Sequence, residues 1–282
     1  MSKLVILFLF LIPTPAFAQN DIQYRRDDSL KVVKLIEQGL RRAGDTNIIL
    51  YFARSLKNIP YVAKTLDKNT SEQLVVNLRQ MDCTTYVENV FALYLCVKNK
   101  KRQFDDFCNY LRLLRYDDGK ISYIHRLHYF SQWIDSNTDK GFVSELKIRD
   151  PQIAVKQTLH LDYMSKHPEL YPALKNDPRL IEDIMNAETM LSGRTCQYIP
   201  KEIIKNHTLL YNIIQDGDIL AIVTNKSGLD TSHIGIAVWH KDGLHLLNAS
   251  MIYKKVVEEP MTLYNYMKKH PSQIGIRVIR AE

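Results

Sequence analysis

The chain has 282 residues, 45% of them hydrophobic, and a formal net charge of +7. Its length exceeds the about 100–150 residues of a typical domain but fits one elaborated domain, and no tract rich in Pro, Gly or Ser divides it. The basic residues are scattered and their longest cluster, Lys98-Asn99-Lys100-Lys101-Arg102, is short. This argues against nucleic-acid binding and for a solvated surface, with at most a modest attraction to acidic cell-envelope polymers.

Residues 1–18 read as a secretory signal peptide. Lys3 is followed by the apolar run Leu4 to Ile12, then Pro13-Thr14-Pro15 and the A-x-A site Ala16-Phe17-Ala18 before Gln19. The run is shorter than the about 20 residues needed to span a bilayer, and no cysteine follows to carry a lipid. The expectation is an exported, periplasmic protein of residues 19–282 with no stable membrane insertion.

Ser29 to Gly44 is a helix candidate with Val32, Val33, Leu35, Ile36 and Leu40 near helical spacing, and Asn47 to Leu56 continues helically. Ile59 to Val62 reads as a turn or short extended piece, and Gln73 to Leu78 as a strand. The next helix runs from Cys83 to about Lys98, with Asp82 as its N-cap and one apolar stripe of Val87, Val90, Phe91, Tyr94 and Val97. Beyond it, Phe104 to Leu114 reads as helix, Tyr116 to Gly119 as a turn and Ile121 to Ile134 as an aromatic helix. Leu161 to Lys166 and Asp177 to Ser192 are further helix candidates. The last third changes character: Ile219 to Val223, His233 to Trp239, Leu244 to Ala249 and Ile274 to Ile279 read as antiparallel strands. The stretch of about 100–210 looks inserted into the domain.

The chemistry is concentrated in two places. Cys83 stands at a helix mouth, and His233 opens a strand about 150 residues later. A thiol is a strong nucleophile only as thiolate, which a helix N-terminus and an imidazole both favour, so the pattern points to a cysteine hydrolase with a depressed thiol pKa. Across an antiparallel pair, a polar residue on strand 244–249 can orient His233. His245 and Asn248 lie on opposite faces, and the sequence around Asn248 favours it. Cys83 and Cys96 on one helix would be about 19 Å apart, beyond disulfide reach. A reduced nucleophile leaves at most one bridge among Cys96, Cys108 and Cys196, with Cys96 expected in the core. The HxxH pattern of His125 and His128 has no third ligand at metal spacing, so no metal or cofactor is expected.

Pro60-Tyr61, Asp82-Cys83-Thr84-Thr85, Asp216 to Leu220, Ser232 to Ile236 and Leu247 to Ser250 resemble the successive landmarks of the NlpC-type, papain-like cysteine peptidases of peptidoglycan. Val87-Glu88-Asn89 and Tyr123 to Ile134 resemble, within them, the exported N-acetylmuramoyl-L-alanine amidases. The resemblance spans about 50–282. It implies an α+β fold: N-terminal helices with the nucleophile at a helix start, packed on a small antiparallel sheet, plus a mainly helical insertion. It also implies cleavage of the amide between muramic acid and L-alanine in muropeptides, preferentially anhydro-muropeptides. The site residues would be Cys83, His233 and Asn248 for catalysis, and Tyr61, Thr84, Arg126, His128, Tyr129 and Trp133 for substrate. Asn248 stands where most such proteins carry histidine. A γ-D-glutamyl-diamino acid endopeptidase and a non-catalytic glycan-binding protein are the alternatives.

Overall fold

The computed structural model describes residues 22–282 apart from 43, 45 and 46, so the signal-peptide segment 1–18 lies outside the described residues. Among those described, no helix is long and apolar enough to cross a membrane. The fold is mixed α+β. Strand β1 (Ile22–Gln23) pairs in parallel with β2 (Leu74–Val75), and between them lie α1 (Arg26–Arg42) and α2 (Ile48–Ser55). Helices α3 (Cys83–Lys98), α4 (Phe104–Arg115) and α5 (Phe130–Asp139) follow, then β3 (Val143–Glu145) and β4 (Val155–Thr158). Next come α6 (Tyr163–Lys166), α7 (Pro172–Asn176), α8 (Leu180–Leu191), β5 (Thr195–Pro200), α9 (Lys201–Ile204) and α10 (His207–Tyr211). Strands β6 (Ile219–Thr224), β7 (Thr231–His240), β8 (Gly243–Ser250) and β9 (Lys255–Glu258), helix α11 (Leu263–Lys268) and strand β10 (Gln273–Ala281) complete the fold.

Among the described residues, eight strands form one antiparallel sheet in the order β4-β5-β10-β6-β7-β8-β9, with β3 paired to β10 beside β5. Strands β6 and β8 are buried at every residue. Helix α3 is also covered nearly all round: every residue from Thr85 to Val97 except Tyr94 is buried, against the single stripe expected. A helix enclosed on all sides belongs to the centre of a fold, and α1, α2, α4, β7 and β8 all pack on it. Within this core Arg115 and Glu88 form an ion pair at 2.7 Å, each at most 3% exposed, and Arg115 also donates to the Val75 carbonyl.

Segment 100–210 does not form one body. Helices α4 and α5 supply Phe107, Leu111, Leu114, Trp133 and Ile134 to the main core, whereas Tyr123, Tyr129, Leu159, Leu161, Met164, Leu174, Ile184, Leu191 and Cys196 form a separate cluster. The expected helix over 121–134 is a correction. Tyr123–His125 is a single 3-10 turn, Tyr116 bridges Arg126 as in a strand pair, and the helix starts only at Phe130. Hydrogen bonds decide this: Leu127 N–H donates to Arg115 O and the His128 ring bonds Tyr123 O, partners that a continuous helix would not present. The strand expected over 73–78 shrinks to Leu74–Val75, which pairs among the described residues with Ile22–Gln23. All four cysteines are free, and Cys96 is in the core as expected.

Candidate active site

Cys83 is the first residue of α3, and a capping box holds it there. Asp82 accepts from the Thr85 amide at 2.9 Å, and the Thr85 hydroxyl accepts from the Asp82 amide at 3.0 Å. The first free N–H groups of the helix therefore surround the thiol. His233 reaches the same place from β7. Ile222 pairs with His233 but Val223 pairs with Thr231, so Ser232 is an extra residue in the strand. Such a bulge re-aims the side chain beside it.

The third member comes from β8. Asn248 Oδ1 lies 2.9 Å from His233 Nε2, and His245, on the other face, instead meets Asp242 and the Glu259 carbonyl. Gly235 lets the Leu246 side chain of β8 pack directly on β7, since a Cβ there would come within 2.7 Å of Leu246 Cδ1. An amide oxygen only accepts, so His233 must carry its proton on Nε2, leaving the Nδ1 lone pair free.

Cys83 and His233 line one cavity of about 200 Å³ together with Thr84, His128, Tyr129 and Asp230. Enclosure and the adjacent Asp82 charge push the Cys83 thiol up to about 11, against hydrogen bonds from Ile234 and Thr84 that favour the thiolate. This overturns the expected depression: the carboxylate that caps α3 also repels a developing thiolate. Burial likewise holds His233 below the usual imidazole range, opposed by the Asn248 hydrogen bond and the negative charges of Glu259 and Asp82. A raised thiol beside a lowered imidazole is a neutral pair at pH 7. Asp82→Asn retains a capping oxygen but removes the charge. We expect it to lower the thiol pKa, so that iodoacetamide modifies Cys83 faster at pH 7 and the whole rate profile moves to lower pH. An unmoved profile would show that the Asp82 charge does not reach the thiol.

The other expected substrate contacts divide. Thr84, His128 and Tyr129 border the cavity. Tyr61 is half-buried and close enough to Cys83 and Asp82 that burial and their charges push its hydroxyl up to about 12. Tyr129 turns its hydroxyl away, donating to Glu188 at 2.6 Å. Arg126 and Trp133 are corrections. Arg126 is clamped by Glu72 and Asp67, with its guanidinium over the Tyr123 ring, so it ties down the 66–72 segment. Trp133 is fully buried, stacked on Phe130 at 5.0 Å, and offers no face to a ligand. Residues missed in the sequence include Met164, Tyr171, Leu229, Asp230 and Thr231, which line the cavity with Leu127, Phe130, Ser232 and Ile234. Asp230 and Thr231 adjoin His233 and could have been found by proximity; Met164 and Tyr171 come from a separate core and carry no signal.

A buried helix and an antiparallel sheet thus bring a thiol and an imidazole to one cavity. Residues 51–276 match the sequence profile of the AmiA-like, N-acetylmuramoyl-L-alanine amidase-like family, and the chain belongs to that family. It is similar to an N-acetylmuramoyl-L-alanine amidase from Bacteroides uniformis, at 36% identity and a TM-score of 0.77 over 87% of this chain and 99% of that one. A candidate xylanase from Bacteroides fragilis is 40% identical, with a TM-score of 0.76 over 82% of this chain and 99% of that one. A protein from Legionella pneumophila shares the fold at 22% identity and a TM-score of 0.68, over 90% of this chain and 94% of that one. Comparison with curated proteins gives no match.

Proposed function

We propose that this protein is an exported N-acetylmuramoyl-L-alanine amidase of the papain-like, NlpC-type cysteine hydrolases, cutting the bond between anhydro-muramic acid and L-alanine in periplasmic muropeptides. The observation that carries the reading is the convergence of Cys83 and His233 on one cavity, with Asn248 bonded to His233 from behind, in a chain of an amidase family. As substrate displaces water, His233 Nδ1 takes the thiol proton and Cys83 Sγ attacks the amide carbonyl. The Cys83 N–H at the start of α3 donates to the oxyanion. The imidazolium then protonates the leaving L-alanine nitrogen, the C–N bond breaks, and a thioester remains. His233 next removes a proton from water, whose oxygen replaces sulfur, releasing the muramic carboxylate and the thiol.

The xylanase named among the similar structures favours a glycosidase, which needs two carboxyl groups flanking the bond. Among the described residues, Asp230 is the one carboxyl group lining the cavity, and its oxygens are occupied by the Ser131 and Thr231 amides. The amide reading therefore fits these residues better.

The test is a mass-spectrometric digest of a defined anhydro-muropeptide. Free disaccharide and an intact stem peptide are expected. A product retaining L-Ala-γ-D-Glu on the sugar would instead assign the γ-D-glutamyl endopeptidase, and no product, with Cys83 unreactive, would assign a glycan binder. Exhaustive chelation should leave turnover unchanged while iodoacetamide stops it. Loss on chelation with recovery in zinc would replace the thiol mechanism.

A further inference from the structure

The segment after β9 holds a carboxylate that the chemistry above does not use. Glu259 is 2% exposed. Its Oε1 accepts from Asn248 Nδ2 at 3.1 Å, and its Oε2 has no partner among the described residues. Its backbone is fixed from two sides: its N–H donates to Leu246 O at 2.9 Å, and its carbonyl faces His245 Nδ1 at 2.8 Å. Burying a carboxylate with one unsatisfied oxygen is destabilising, so its presence behind the site calls for a reason beyond packing.

The reason lies in the symmetry of an amide. Asn248 could present either its oxygen or its NH2 group to His233, and the two orientations place the ring proton on opposite nitrogens. Oxygen toward His233 requires Nε2–H and leaves Nδ1 able to take the thiol proton. The NH2 group toward His233 would require a bare Nε2, placing the proton on Nδ1, where it blocks that transfer. A carboxylate cannot donate, so beside Glu259 only one orientation satisfies both neighbours. We propose that Glu259 is a positioning residue which locks the Asn248 amide and, through it, holds His233 in the Nε2–H tautomer. The pair becomes a relay of Glu259, Asn248, His233 and Cys83, with the chemistry confined to the last two. This rests on the reading of Cys83 and His233 as an acyl-transfer pair, but not on which bond they cut.

The test is accordingly independent of substrate. Histidine 15N spectra of the full chain report the His233 tautomer, and iodoacetamide at pH 7 reports the thiolate that the ring can generate. Glu259→Met fills the same volume without an acceptor. It should populate both tautomers and slow Cys83 alkylation by about tenfold or more, as expected when a base is held in the wrong tautomer. Glu259→Gln, which can still accept from Asn248, should recover most of the rate. A wild-type His233 found with its proton on Nδ1 overturns the proposal even if Glu259→Met fails to fold. So does a folded Glu259→Met with the wild-type tautomer and rate, or a Glu259→Gln no better than Glu259→Met. If these variants behave as expected but muropeptides are not cleaved, the relay stands and the substrate assignment falls.

Discussion

Replacing Cys83 by alanine should lower kcat on a muropeptide by at least about 10⁴-fold, and His233→Ala should do the same. In the proposed mechanism the two residues act on one proton and one bond, so the double variant should be no worse than either single one, a non-additivity that independent contributors would not show. Neither change should cost much stability, because both side chains border the cavity rather than fill the core. Asn248→Ala should be milder, since the imidazole persists and only its orientation is released. Kinetics with thermal unfolding alongside checks all four variants. Substantial turnover by Cys83→Ala would remove the thiol mechanism.

Arg115→Met should be the most damaging change away from the site. It leaves Glu88 buried without its cation, and breaking a buried pair from one side costs about 3–5 kcal/mol. That is a large part of the roughly 5–15 kcal/mol by which domains are stable. For a chain of this size it is a fall in Tm of roughly 6–20 °C. The loss has a pH signature. Burial already holds Glu88 above the usual carboxylate range, opposed by Arg115, so removing Arg115 raises it further. A carboxyl raised in the fold binds a proton more readily there than in the unfolded chain, and its stabilising contribution is present at acid pH and lost as pH rises through the folded pKa. The deficit of Arg115→Met against wild type should therefore be smaller at pH 5 than at pH 8. Replacing both partners by apolar residues should cost less than Arg115→Met alone.

The site was legible where local chemistry decides it. Asp82 before Cys83 is a helix start by capping alone, and the alternation along 244–249 separates Asn248 from His245 without any tertiary information. What stayed hidden depends on partners distant in sequence. The aromatic run Tyr123 to Trp133 has helical composition, but Arg115 and Glu72 supply hydrogen bonds that hold Arg126 and Leu127 out of a helix. Arg126 and Trp133 looked suited to a sugar. Whether a guanidinium is free or clamped, or a ring exposed or stacked, is settled only by Asp67, Glu72 and Phe130. The thiol's environment was misread for a related reason: the helix terminus is visible in sequence, but the enclosure that outweighs it comes from chain segments far away. Glu259 follows a strand end in an acidic, unremarkable context, and only the fold sets it behind Asn248.

The placement of β10 bears on how the molecule is made. This strand, residues 273–281, sits between β5 and β6 and also pairs with β3, more than a hundred residues earlier in the chain. A ribosome releasing the chain from its N-terminus delivers that centrepiece after every other strand among the described residues. Until then β5 and β6 each present an unpaired edge, the kind of surface on which chains associate wrongly. Assembly must also wait for contacts of long sequence separation, which are slow to form. Acquisition of the complete sheet is thus a late event in the life of each molecule, and a chain interrupted before residue 273 would hold the Cys83 thiol and the His233 imidazole yet lack the strand that joins the two sides of its scaffold.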